Sequence, residues 1–240
     1  MSAISLSDIE RAARRLDGHI LRTPLLESLA LNELAGCRLL VKAEALQKTG
    51  AFKIRGALNK MMSLPEELRA KGVVASSSGN HGNAVAAAAR MFAIKAKVVM
   101  PADAPAMKID NTRRNGAEII LYDRVREDRF AIVEKLARDT GMTNIPPFDD
   151  AEIMSGQGTV GLEIMDQCRA MAASLDAVLV PSSGGGLSSG ITVAVRSRSP
   201  ATRCYTVEPM GFDRMARSLL SGERQTNARA AGSTQAALIG

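Results

Sequence analysis

Three short segments carry residue types and spacings that could do chemistry. Lys53 lies in Thr49-Gly50-Ala51-Phe52-Lys53-Ile54-Arg55-Gly56-Ala57, flanked by the apolar Phe52 and Ile54. Desolvation by such neighbours lowers an amine's pKa and makes it a usable nucleophile. Ser76-Ser77-Ser78-Gly79-Asn80-His81-Gly82 follows an apolar run and opens an Ala-rich helix, which gathers hydroxyls, an amide and backbone N–H groups at one helix start. Ser182-Ser183-Gly184-Gly185-Gly186-Leu187 repeats that arrangement after a second apolar run. Consecutive glycines let several N–H groups converge on one anion, and they lose more backbone entropy than a plain turn requires. The loop is neither a G-x-G-x-x-G fingerprint nor a Walker loop, because no Gly-Lys-Ser/Thr follows. Each feature alone has a plainer reading: Lys53 as a surface charge, the serines as helix caps, His81 as a structural imidazole. Together they give an amine, a loop suited to a carboxylate or ring oxygen, and a loop suited to phosphate.

These segments need elements to hold them, and the pattern along the chain is strand, loop, helix, repeated. Ser7-Asp8-Ile9-Glu10 reads as a capping box that starts a helix running to residue 15. Strands are expected over 38–44, 72–75, 96–101, 117–122, 177–180 and 203–207. Helices are expected over 52–62, 81–91, 107–115, 127–140, 158–168 and 186–196. Strands that are apolar throughout and alternate with helices predict mostly parallel sheets covered on both faces. Ligands of such sheets bind at the carboxyl ends of strands, against helix N-termini, where both special loops lie. The final residues, 229–240, have weak patterning and read as a tail.

The totals exclude several classes. Of 240 residues, 46% are apolar and 23% charged, which suits a soluble globular protein with a real core. No apolar run reaches the roughly 20 residues of a membrane span, and the first residues lack a basic-then-apolar leader. Cys37, Cys168 and Cys204 are far apart with no C-x-x-C, so neither a zinc site nor a redox pair is indicated, and the cytoplasm is the expected compartment. A net charge of +6 raises the question of nucleic acid, but the basic residues are dispersed, and no Trp, two Tyr and five Phe leave little for base stacking. Arg124, Arg126 and Arg129 alternate with Asp123, Glu127 and Asp128, which reads as a solvated helix face. No nucleic-acid or membrane partner is expected.

The three segments resemble the signature set of fold-type II pyridoxal-phosphate enzymes, in particular the threonine/serine dehydratase and serine racemase group. His19-Ile20-Leu21-Arg22-Thr23-Pro24-Leu25 and Gly156-Gln157-Gly158-Thr159-Val160-Gly161-Leu162-Glu163 also resemble family segments, and the likeness runs from about Ile4 to about Asn227. It implies a tryptophan synthase β-like α/β fold of two domains, a larger one over 1–71 and 149–240 and a smaller one over 72–148. Lys53 would hold the cofactor and act as base at the substrate Cα, and Phe52 would pack near the cofactor ring. Asn80 would hydrogen-bond the ring's 3′ oxygen, and Ser183, Gly184, Gly185, Gly186 and Leu187 would hold the phosphate. Ser77, Asn80 and His81 would receive the substrate carboxylate. Ser78 would stand on the opposite face as the acid/base that racemisation needs. The implied reaction converts L-threonine or L-serine to a 2-oxo acid and ammonia, with serine racemisation as the alternative. A relic that binds cofactor without turnover stays open, as does a nucleotide-phosphate binder. A small amino-acid substrate and a homodimer are implied partners.

Two departures from the family pattern stand out. Members often bind a divalent cation through a glutamate and a nearby second carboxylate. Here Glu208 keeps the first position, but Arg214 stands where the second acid is expected, which argues against a cation. The likeness also fades from Ala228 onward, whereas family chains continue with further sheet and helix and a residue facing the ring nitrogen. The larger domain is therefore expected to be incomplete.

Overall fold

The computed structural model describes residues 4–227 and the backbone of 232–233 and 238–239. Helix α1 (Leu6–Leu16) is capped by Ser5, whose hydroxyl accepts the Asp8 N–H while the Asp8 carboxylate accepts the Ser5 N–H. The capping box is thus two residues earlier than the predicted one, because Asp8 is the acid three positions beyond the true cap. Strands β1 (Leu25–Glu27) and β2 (Leu40–Lys42) form a small antiparallel pair around α2 (Leu29–Ala35). A single turn of 3-10 helix at Glu44–Leu46 leads into α3 (Lys53–Ser63) and α4 (Glu66–Lys71). Then β3 (Val73–Ser76), α5 (Asn80–Met91), β4 (Ala96–Pro101), α6 (Ala106–Arg114), β5 (Glu118–Tyr122), α7 (Arg129–Thr140) and β6 (Thr143–Asn144) alternate. The chain continues through α8 (Ala151–Ala170), β7 (Ala177–Pro181), α9 (Gly186–Arg198), β8 (Arg203–Val207) and α10 (Arg214–Ser221). A last antiparallel pair, β9 (Gly232–Ser233) and β10 (Leu238–Ile239), lies in the stretch read as a tail, whose other residues fall outside the described set.

The central sheet has strand order β5-β4-β3-β6, with every neighbour parallel. Both of its faces are covered, as the apolar strands predict. Val73 and Ala75 face a core shared with Ile54, Leu58 and Ala84, and Val74 and Val99 face a second one with Tyr122, Val133 and Met142. A separate parallel pair, β7-β8, packs Val180 and the partly buried Val178 and Cys204 against α8 and α9. Its other face leaves Leu179, Tyr205 and Val207 exposed. The predicted class, parallel strands flanked by helices, is what the chain adopts. No helix among the described residues is long and apolar enough to cross a membrane.

Helix α8 is nearly twice the expected length, beginning at Ala151 under an Asp150 cap rather than at residue 158. Its internal glycines serve close packing. A Cβ at Gly190 of α9 would lie 2.4 Å from the Met154 carbonyl of α8, so only glycine permits this approach.

Candidate active site

The end of α3 that bears Lys53 is held by a buried ion cluster. Arg55 is fully buried, and its guanidinium donates to both oxygens of Glu44 at 2.8 Å and to Glu163 at 2.6 and 3.0 Å. Lys42 donates to the same Glu163 at 2.6 Å, to the Thr23 carbonyl at 2.6 Å and to Gln167 at 2.8 Å. Two residues before Arg55, Lys53 is the first residue of α3, with its amine 5.3 Å from the Phe52 ring centroid. That amine donates to the Pro147 carbonyl at 2.5 Å. No carboxylate among the described residues answers its charge, and burial lowers its pKa from 10.5 to about 8.

Strand β3 delivers Ser76 and Ser77 to the start of α5. The Ser77 hydroxyl accepts the Gly79 N–H at 3.0 Å, which fixes the loop and leaves the hydroxyl proton for a ligand. By helix geometry the N–H groups of Asn80, His81 and Gly82 have no partner within α5. The His81 imidazole is buried, and its Nε2 lies 2.9 Å from the Ile145 carbonyl. Because that partner is an acceptor, Nε2 carries the proton and Nδ1 is a bare acceptor without a partner among the described residues. Burial, and then the nearby Lys53 charge, push the His81 pKa down to about 3. The side chain therefore offers no donor to a carboxylate, and what His81 offers an anion is its backbone N–H.

The triple-glycine loop joins β7 to α9. The Ser182 hydroxyl is 3.2 Å from that of Ser188, which donates to the Gly185 carbonyl at 3.0 Å. Gly185 has φ +86°, in the left-handed region that favours glycine. The Phe148 ring lies directly over Gly184, so that a Cβ there would be 2.1 Å from it. Arg214 reaches this loop from α10, donating from Nε to the Ser183 carbonyl at 3.0 Å, with its guanidinium 5.8 Å from the Phe148 ring. Both Glu208 oxygens accept backbone N–H groups, of Met215 and Ala216, at 3.0 Å. Glu208 thus caps α10, and a guanidinium rather than a second acid stands nearby. The described residues contain no group of three or more His, Cys, Asp or Glu able to hold a metal ion, and they do not fit a divalent cation at Glu208.

All three segments line one cleft of about 420 Å³, with Phe52, Lys53, Ser77, Ser78, Asn80 and His81 on one side and Ser183 to Leu187 on the other. A separate cavity of about 350 Å³ between α1 and α8 is lined by charges such as Glu10, Asp166 and Arg198, which pair with one another. The cleft also takes in residues the sequence reading did not single out for the site: Pro147, Phe148, Phe130, Lys108 and Arg129. Arg124 and Arg126 pair with carboxylates as a solvated face should, but Arg129 lines the cleft. A signal for it existed. The helices α3, α5, α6, α7 and α9 all begin at the cleft, and none has an acid in its first turn. Lys53, Lys108 and Arg129 instead sit in first turns, where the helix dipole disfavours a cation unless an anion arrives.

An amine of lowered pKa, a glycine cradle and a cleft lined by no carboxylate among the described residues fit a phosphorylated aldehyde cofactor. A profile of the family described as "Pyridoxal-phosphate dependent enzyme" matches residues 16–240. The chain belongs to this family. Serine racemase of Dictyostelium discoideum is 42% identical over 225 residues, covering 94% of this chain and 68% of that one. The L-threo-3-hydroxyaspartate ammonia-lyase of a Pseudomonas species is 42% identical over 222 residues, covering 92% and 68%. The solved structure of maize serine racemase superposes with a TM-score of 0.91 at 38% identity, covering 100% of this chain and 72% of that one. The fold is therefore that of fold-type II pyridoxal-phosphate enzymes. The family match extends past Asn227, where the sequence reading ended the likeness.

Proposed function

We propose that this pyridoxal-phosphate enzyme family member is an ammonia-lyase that converts L-threonine or L-serine to a 2-oxo acid and ammonia. The observation that carries this reading is the enclosed Lys53 amine, with a pKa near 8, in the same cleft as the Ser77–His81 and Ser183–Leu187 loops. When bound, pyridoxal phosphate supplies an electron sink for the negative charge left at the substrate Cα. Lys53 would hold the cofactor through its amine, and the same amine would take the Cα proton. Ser183 and the N–H groups of Gly184, Gly185, Gly186 and Leu187 would hold the phosphate at the start of α9. Phe52 would pack beside the ring, and the Asn80 amide would donate to the cofactor. The Ser77 hydroxyl and the backbone N–H groups of Asn80 and His81 receive the substrate carboxylate.

Ser78 favours a second reading. It is half-buried and lines the cleft with Lys53, so that a proton removed by one group can be returned by the other, which is serine racemisation. On either reading the cleft lies between a smaller unit over 72–148 and a larger one formed by 1–71 and 149–240. A cytoplasmic homodimer is the assembly that accompanies this assignment. The test is to load the protein with pyridoxal phosphate, add L-threonine or L-serine, and follow the 2-oxo acid and the D-serine formed. Oxo acid at turnover rates supports the lyase and D-serine the racemase. A cofactor-loaded protein that forms neither would leave only cofactor binding.

A further inference from the structure

The triple-glycine loop is gripped from outside by α10. The Ser182 N–H donates to the Val207 carbonyl at 2.9 Å, which sets the loop after β7 beside the loop after β8. Glu208 follows β8 and fixes the start of α10 by accepting the Met215 and Ala216 N–H groups. From that first turn Met215 reaches over Gly185, where a Cβ would lie 2.8 Å from its Cε. Arg214, one residue earlier, donates to Ser183 twice, from Nε to the carbonyl at 3.0 Å and from Nη2 to the hydroxyl at 3.4 Å. Gly184, between these two contacts, lies against the Phe148 ring. One short helix thus restrains three consecutive glycines, whose free backbone would otherwise lose much entropy on closing around an anion.

The charges at this corner are arranged differently from those of a metal site. A hard divalent cation needs several oxygens. Here both Glu208 oxygens accept backbone N–H groups, and the Ser183 carbonyl accepts from a guanidinium that carries the positive charge itself. Burial lowers the Arg214 pKa and the Glu208 charge opposes the shift, but a guanidinium stays protonated regardless. A bound metal acts by mass action and is lost to a chelator, whereas a side chain is always present.

We propose that Arg214 is a built-in replacement for a divalent cation at Glu208: its guanidinium ties α10 to Ser183 and so orders the phosphate loop without a metal. Cofactor retention then depends on Arg214 and is indifferent to divalent cations. Arg214 is a positioning residue, acting on the cofactor through Ser183 and the glycines. This rests on the loop's receiving the phosphate of pyridoxal phosphate, and not on which amino acid is turned over.

The test has two arms. In the first, the cofactor-free protein is titrated calorimetrically with CaCl2 and with MgCl2. The unaltered chain gives no saturable heat, whereas Arg214→Asp, which sets a second carboxylate beside Glu208, binds a cation. In the second, fluorescence titration gives the Kd for pyridoxal phosphate in EDTA and in excess MgCl2. The unaltered chain has the same Kd in both. Arg214→Gln weakens binding about tenfold in both, on the scale of one charge-assisted hydrogen bond. Arg214→Lys keeps part of the affinity. Arg214→Asp is weakened in EDTA and recovers in MgCl2, while Arg217→Gln, further along α10, leaves the affinity as it was. Far-UV circular dichroism checks that each variant is folded. Saturable cation binding by the unaltered chain, an affinity that falls in EDTA, or one unmoved by Arg214→Gln would overturn the proposal. If the cation arm comes out as expected but no pyridoxal phosphate is taken up, the exchange of cation for guanidinium stands and the cofactor reading is what fails.

Discussion

The Lys53 amine donates to the Pro147 carbonyl at 2.5 Å, bridging the first residue of α3 and the turn that leads into α8. The bond gives the Lys53 amine a partner without giving it a counter-charge. It therefore holds Lys53 in place while leaving its pKa to be set by burial, near 8.

Capture of pyridoxal phosphate should follow that pKa. Only the neutral amine attacks an aldehyde, so the rate of appearance of the visible chromophore rises with pH and levels off above about 8. Stopped-flow absorbance from pH 6 to 9.5, about the range in which such a group titrates, checks this. A profile still climbing at the top of that range would mean an ordinary exposed lysine.

The same group makes a stability prediction with a definite sign. The folded-state pKa, about 8, lies below the usual 10.5, so between those values the unfolded chain binds more protons and stability rises with pH. Below pH 8 the penalty of a buried ammonium is fully present. Lys53→Met should therefore stabilise the cofactor-free protein at pH 7, and its advantage should shrink as pH climbs from 8 toward 10.5. Urea titrations at pH 7 and pH 10 measure the difference.

Arg55→Met should be among the most destabilising changes in the chain. It leaves the Glu44 and Glu163 carboxylates desolvated, with only Lys42 remaining on Glu163. Breaking a buried pair costs about 3–5 kcal/mol, and chemical denaturation should show a loss of that order. A loss below about 1 kcal/mol, the level of an exposed pair, would mean that the cluster is effectively solvated.

Gly184→Ala should weaken cofactor binding at least about tenfold, equivalent to 1.4 kcal/mol. Its Cβ would meet the Phe148 ring at 2.1 Å, and the loop must move to avoid it. Phe148→Ala in the same chain should restore part of the affinity. Fluorescence titration with pyridoxal phosphate reads both variants.

The three chemical segments were legible in sequence because each combines small or polar residues with an apolar run, and the resulting loops do meet at one cleft. The parallel sheet was legible for the same reason, since β3 and β4 are apolar on both faces. Short elements were not. β1 and β6 are three and two residues long and carry no period of their own. Helix α8 was started at residue 158, seven residues late, and Gly156 and Gly158 within it let α3 and α9 approach. Within the site, His81 was expected at the substrate carboxylate, but sequence could not show that Ile145 takes its ring N–H and leaves its backbone N–H as the donor. Arg129 was assigned to the solvated face, since its neighbours Arg126 and Asp128 are indeed solvated. The direction of a side chain at a helix start depends on tertiary packing, which one sequence does not reveal.

The most direct test of the account is to reduce the pyridoxal-phosphate-loaded protein with borohydride and locate the modified residue by peptide mass spectrometry. The account predicts a single pyridoxyl adduct on Lys53, lost together with the visible absorbance in Lys53→Met. An adduct on Lys108 or another lysine, or colour that survives Lys53→Met, would contradict it.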